Sequence, residues 1–372
     1  MSNAITPPKK QRSSNIELLR ILTMLGVIIL HYNNADIGGG LKYVQNGSLN
    51  FHFLNILESV FICAVDLFVL ITGYFMINTQ KRSLIKPFKL LVQVIAFNLM
   101  IFFLLIIIGK KAFTLHGLLG TLLPANYFVI LYTALYFISP YINIAMKALN
   151  KKQLKYMIIT LFLIFSVYAV AVDLLGEIKG DTILGLSSIG MYGSQNGYTI
   201  VNFAFMYTLG AYINICESDY IHISRIKLIS YLAILVGVDS AWYLLFEYLH
   251  FCKGTAHSYL NPVVILMAVA VFFLFKKIDL GQNKVINTLA KGSFTVFLLH
   301  KEFLSRIRIE SFVNKPLPIL AAHILIAVIG IYLICWIVYF IYESITAPIY
   351  NLIEKKFPRV TYIVDSSITE KR

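Results

Sequence analysis

A chain of 372 residues is long enough for two soluble domains, but 58% hydrophobic and only 13% charged residues, with a mean hydropathy of +0.76, exclude a soluble globular protein. The formal charge of +14 reads as attraction to anionic lipid at one membrane face, not as a nucleic-acid footprint. Apolar runs of about 20 residues, enough to cross about 30 Å of hydrocarbon, recur from end to end, and the expected fold is an all-α, polytopic membrane bundle of about ten transmembrane helices.

These runs fall near 16–34, 55–77, 86–109, 125–146, 154–173, 200–215, 228–249, 258–275, 287–304 and 317–342. They divide the chain into an N-terminal segment 1–15, a transmembrane domain 16–345 and a polar tail 346–372. The basic stretch "KKQR" before the first run raises a cleavable signal peptide, but Glu17 and Arg20 interrupt the apolar region and no small-residue cleavage site follows. The first run is therefore expected to stay. Lys and Arg concentrate on one set of alternate connections, including 81–89, 147–155, 276–291 and 355–372, which puts both termini in the cytoplasm. The connection 174–199 is rich in Gly and Ser, lies outside on that count, and serves either as a flexible link or as part of an outer site. No repeat or inverted symmetry marks a common transporter architecture. Cys63, Cys216, Cys252 and Cys335 are scattered without a CxxC, so neither a disulfide framework nor a metal site is suggested.

The first run, "NIELLRILTMLGVIILHYN", carries Glu17, Arg20 and His31. An ionisable group in hydrocarbon is costly unless it faces a bundle interior or a wet cavity, and it is a functional candidate for that reason. Steps of three and four align Glu17, Arg20, Met24, Val27, His31 and Asn34 on one helical stripe. Arg20 and His31 stand eleven residues apart, roughly 16 Å along the axis, with the cation near the cytoplasmic end and the imidazole near the outer end. The competing explanations are an interfacial ion pair with a snorkelling arginine, and a histidine bonded to a neighbouring helix.

In "VDLFVLITGYFM", Asp66 lies within the second run and Gly73 follows seven residues later on nearly the same face. Asp66 needs a partner, for which Arg20 and His31 are the candidates; it would neutralise the first or orient the second. "TQKRSLIKPFK" gathers Lys81, Arg82, Lys86 and Lys89, either as ordinary positive-inside bias or as a phosphate-binding rim. "NYFVILYTALYFISPYIN" carries Tyr127, Tyr132, Tyr136 and Tyr141, residues of packing and of the interfacial belt, and "SFTVFLLHKEF" sets His300 at the outer end of the ninth run. His31, His52, His116, His250, His257, His300 and His323 all map to the outer half, leaving only His222 inside. Imidazoles at an outer vestibule suit proton transfer with sugar hydroxyls.

Together these segments resemble the membrane acyltransferase-3 family over nearly the whole chain. "ELLRILTMLGVIILHY" is similar to the family's arginine followed eleven residues later by histidine. "VDLFVLITGYFM" resembles its Asp-Leu-Phe-Phe stretch ending in Ser-Gly-Phe, with Thr72 and Tyr74 departing from it. "RSLIKP" resembles an arginine-rich segment before proline, where Lys86 replaces the usual second arginine and removes one bidentate phosphate contact. "YFVILYTALYFISPYIN" looks like the family's span ending in Ser-Pro, and "FTVFLLH" like its Tyr-Leu-Ile-His.

The resemblance implies a bacterial plasma-membrane acyltransferase acting on groups other than aminoacyl groups, specifically an O-acetyltransferase. Its donor would be cytoplasmic acetyl-coenzyme A, its acceptor a hydroxyl of a surface or lipid-linked glycan, and no metal would take part. In that scheme Glu17, Arg20, Arg82 and Lys86 bind the coenzyme, and Tyr127 and His300 bind substrate. His31 and Asp66 are catalytic, His31 as general base or as carrier of a covalent acyl group. Either role needs a neutral ring, so activity is expected to fall as His31 protonates. A fused outer esterase-like domain is not expected, which leaves direct transfer or a separate partner. Two other classes compete: a transporter or flippase for a lipid-linked saccharide, which consumes no coenzyme A, and a glycosyltransferase using Asp36 as base.

Overall fold

The computed structural model describes residues 12–79, 83–220, 222–249 and 254–356. Each predicted apolar run forms helix there, and no strand occurs among the described residues. Inside hydrocarbon the backbone must satisfy its own donors and acceptors, which forces helix on runs of this composition. Short polar side chains close their first turns. Asn126 accepts from Val129 N–H, Asn150 and Gln153 form a reciprocal capping box, Thr199 accepts from Asn202 N–H, Ser224 from Lys227 N–H, and Asn261 stands just before Pro262.

The order is α1 (Ser14–Asn33), the short α2 (Gly40–Tyr43), α3 (Leu49–Phe61), α4 (Ala64–Met76), α5 (Ile85–Ile107), α6 (Leu115–Thr121), α7 (Tyr127–Ala148) and α8 (Lys151–Phe162). A π-helical stretch, Leu163–Tyr168, joins α8 to α9 (Ala169–Lys179). Then come α10 (Ile200–Ile215), α11 (Glu217–Tyr220), α12 (Arg225–Tyr248), α13 (Pro262–Lys276), α14 (Lys284–Leu289), α15 (Ser293–Leu304) and α16 (Leu317–Lys356). Among the described residues, seven helical segments are long and apolar enough to cross a membrane: Ser14–Asn33, Leu49–Met76, Ile85–Ile107, Tyr127–Ala148, Lys151–Lys179, Arg225–Tyr248 and Leu317–Lys356. The chain is a polytopic helical membrane protein.

Four runs depart most from their predicted limits, and the tenth, expected to end at 342 ahead of a polar tail, continues as helix to Lys356. The second run begins at Leu49, six residues early, because Ser48 caps α3 by accepting from Phe51 N–H. The fifth continues helically to Lys179, so the connection predicted from 174 begins at Gly180, whose left-handed φ of 78° ends the helix. The ninth is broken by a 3-10 turn, Ala290–Gly292, before α15.

The shortest apolar helices are central. Phe203, Met206, Tyr207 and Ala211 of α10 are all buried, as expected for a helix apolar on every side. Its long contact with α4 depends on two glycines: a Cβ on Gly73 would strike the Tyr207 carbonyl, and one on Gly210 would strike the Leu70 carbonyl. Small residues let the two backbones touch, as membrane helix pairs commonly do.

Candidate active site

The predicted stripe of α1 lines two cavities. One, of about 340 Å³, takes Glu17, Arg20, Met24 and Val27; the other, of about 330 Å³, takes Val27, His31 and Asn34. Val27, Val65 and Phe297 belong to both, so three apolar side chains form the wall between them.

The Arg20 cavity is cationic at its polar end. Arg20 Nη1 donates to Glu17 Oε1 at 3.1 Å, and Arg12 Nη1 approaches Glu17 Oε2 at 3.7 Å. Lys291, exposed on the 3-10 turn, adds a third cation to the lining. The Glu17 side chain is only 7% exposed and that of Arg20 is 33% exposed, so the carboxylate acts as the anchor and the guanidinium opens into the cavity. Further in, Met24, Phe68, Leu90 and Phe128 make the wall apolar.

The second cavity holds the imidazole. His31 Nδ1 lies 2.8 Å from the Val27 carbonyl and 3.3 Å from His300 Nε2, and His300 Nδ1 lies 2.9 Å from the Val296 carbonyl. A carbonyl only accepts, so each Nδ1 carries the proton. His300 Nε2 is then a lone pair that receives the shared Nδ1–H of His31, and His31 is left with an unprotonated Nε2. The rings meet edge to face, 4.7 Å between centroids at 71°. Both helices thus fix the His31 tautomer that a general base or nucleophile requires.

Asp66 and Gly73 share a face, as their spacing predicts, but that face meets α10. Asp66 is fully buried and accepts from Asn202 Nδ2 at 3.1 Å through Oδ1, while Oδ2 has no partner among the described residues. Its hydrogen-bond partner is therefore Asn202 and not Arg20 or His31, since the close approach of Gly73 to Tyr207 turns this side of α4 away from α1. Asp66 lines neither cavity and stands within electrostatic reach of Tyr127 and Tyr259.

Tyr127 reaches the His31 cavity, packed edge to face with Tyr198 at 4.8 Å, and Tyr259 packs on Tyr198 at 5.1 Å. His300 is fully buried behind His31 and does not line the cavity. Lys86 is exposed outside the Arg20 cavity, one turn before Leu90, which lines it. Arg82 and Lys81 lie outside the described residues. Lys89 pairs with Glu354 at 3.1 Å. Tyr132 lines the Arg20 cavity, whereas the Tyr136 hydroxyl bridges the Ser83 backbone. Asp36 is exposed in the turn after α1 and lines neither cavity.

Sequence reasoning passes over Glu58, Asp239 and the lining lysines, and names His257 only as one of the outer-half imidazoles. Glu58 and His257 face the His31 cavity, with the buried Asp239 beside His257, and Lys291 and Lys301 complete the two linings. Glu58 and Asp239 sit inside apolar runs, where the cost of an ionisable group is itself the signal. Nothing comparable distinguishes Lys291, whose position depends on a break in the ninth run.

Fold and site define a multi-pass helical membrane protein in which a cation-lined cavity and an imidazole-lined cavity stand back to back on one helix. A family model described as an acyltransferase domain, Acyl_transf_3, matches residues 13–340. The chain belongs to that family and is a membrane acyltransferase. No curated protein and no solved structure matches it.

Proposed function

We propose that the protein transfers an acetyl group from cytoplasmic acetyl-coenzyme A to a hydroxyl of a surface or lipid-linked glycan, in the plasma membrane of a bacterium. In this reading the ten apolar runs all cross, both termini are cytoplasmic, and the Arg20 cavity faces the cytoplasm. The observation that carries it is the pair of cavities on α1, cationic below and imidazole-bearing above, with Val27, Val65 and Phe297 lining both.

The residues present suit the donor. Arg12, Arg20 and Lys291 supply cations for phosphates, Glu17 holds the Arg20 fork in place, and the apolar wall beyond accepts a thin aliphatic arm. At the far end His31 Nε2 takes the proton of the acceptor hydroxyl as its oxygen attacks the thioester carbonyl carbon. The new C–O bond forms, the C–S bond breaks, and His31 returns the proton to the departing thiolate. Direct attack by the same lone pair on the acyl carbon is the covalent variant of this chemistry.

The test is transfer of radiolabelled acetyl from acetyl-coenzyme A to the glycan and lipid fractions of membranes containing the protein. Wild type is expected to label them and His31→Ala and Arg20→Ala to fail at normal protein abundance. Movement of a lipid-linked saccharide without release of coenzyme A would instead establish the transporter.

A further inference from the structure

The His31 cavity is also lined by ionisable groups outside α1 and α15 that the acyl-transfer chemistry at His31 leaves unused. We propose that Glu58 and His257 form the acceptor subsite, holding a sugar ring by its hydroxyls, with Asp239 as the positioning residue for His257. This rests on the acyl-transfer reading.

Glu58 stands on α3 and lines the cavity. Its Oε2 accepts from Asn33 Nδ2 at 2.8 Å, and Asn33, fully buried at the end of α1, also donates to the Leu54 carbonyl at 3.0 Å. The carboxylate is thereby tied to the turn of α1 that carries His31. Its Oε1 accepts no hydrogen bond among the described residues. A carboxylate in a membrane helix with one oxygen anchored and one open is a ready acceptor for a hydroxyl proton.

His257 lines the same cavity from the segment before α13. Its Nε2 lies 3.4 Å from Asp239 Oδ2, and its ring stacks on Tyr243, 4.6 Å between centroids at 11°. Asp239 is fully buried on α12, and neither of its oxygens has a hydrogen-bond partner among the described residues. At that distance no hydrogen bond joins the pair, but the carboxylate's charge favours the imidazole proton on Nε2, which leaves Nδ1 as the acceptor. A buried carboxylate at that position is costly, and His257 is the ionisable group that faces it.

Tyr127, Tyr198 and Tyr259 give the cavity an aromatic side, suited to the apolar face of a sugar ring. At about 330 Å³ the space lies near the lower limit of small-molecule sites, roughly 300–1,000 Å³, which fits one ring better than a stretch of polymer. With His31, Glu58 and His257 lining one cavity, the hydroxyl to be acylated meets the base while its neighbours on the ring are held by the carboxylate and the second imidazole.

The experiment uses the full chain in membranes with labelled acetyl-coenzyme A. The acceptors are the endogenous membrane fraction and a panel of methyl glycosides of glucose, galactose and N-acetylglucosamine, with 1,4-butanediol as the diol without a ring. Wild type is expected to label at least one glycoside in preference to butanediol. Glu58→Gln and His257→Gln are expected to raise the KM for that glycoside about tenfold or more, the scale of a lost hydrogen bond to a charged group. The KM for acetyl-coenzyme A should stay within about twofold, as befits a residue outside the Arg20 cavity. Asp239→Asn should act like His257→Gln, and the double variant should be no worse than either. Labelling of the endogenous acceptor without any glycoside, or variants whose glycoside KM is unchanged or moves together with that for the donor, overturns the subsite. No label on any acceptor in wild type overturns the acyl-transfer reading itself. Should Glu58→Gln fall in abundance, Glu58→Asp reads the same contrast, retaining the charge but shortening its reach.

Discussion

Nδ1 of His31 lies 3.3 Å from Nε2 of His300, and each ring also donates to the carbonyl four residues earlier in its own helix. One proton is therefore shared toward His300, and the lone pair of His31 stays on Nε2 of a ring that lines the cavity. Replacing His31 with alanine removes the base itself, an effect on the order of 10²–10⁴-fold in kcat. His300→Ala leaves His31 its Val27 bond but frees the ring to turn, so kcat should fall by about tenfold with little change in either KM. Steady-state kinetics on membranes checks both. Activity should also drop on the acid side, because the doubly protonated His31 ring has no lone pair to accept with; an acid limb absent from the kcat profile would remove the base from the mechanism.

Arg20→Ala should raise the KM for acetyl-coenzyme A by about tenfold, the worth of a charge-assisted contact to phosphate. Arg20→Lys should recover only part of it, since an ammonium cannot meet Glu17 and a phosphate with one planar fork. Lys291→Ala should act in the same direction. Donor titrations at saturating acceptor measure all three.

The wall between the cavities gives a different signature. Phe297→Ala removes the largest of its three side chains, which also packs on Phe128 at 5.0 Å. Coenzyme A release without acceptor labelling should increase as water reaches the thioester. Val65→Trp, which thickens the wall, should block transfer while leaving donor binding measurable by equilibrium competition.

Gly210→Ala should destabilise the fold independently of the site. The added methyl meets the Leu70 carbonyl and pushes α10 from α4, and overpacking of this kind costs typically about 1–3 kcal/mol. Thermal unfolding in detergent should show a lower midpoint, whereas Gly237→Ala, at a position with open space around it, should not.

Much of this was legible in the sequence because the membrane magnifies polar signals. The stripe from Glu17 to Asn34 followed from helical geometry alone, and all six of its residues line the cavities. Asp66 and Gly73 were placed on one face correctly, but spacing within a helix does not say which neighbour that face meets. The contact of Gly73 with Tyr207 and the Asn202–Asp66 hydrogen bond decide it for α10. His257 illustrates the other limit. Its meaning comes from Asp239, on α12 and eighteen positions earlier, and no periodicity connects a turn residue with it.

The apolar wall of Val27, Val65 and Phe297 has an electrical consequence. Charge does not pass such a barrier cheaply, yet under the proposed reaction nothing charged has to. An uncharged thioester arm enters, an uncharged thiol withdraws, and the hydrogen taken from the acceptor leaves on sulfur toward the cytoplasm. Acyl group and hydrogen change places across an insulator, so turnover should be indifferent to the voltage of the cell that runs it.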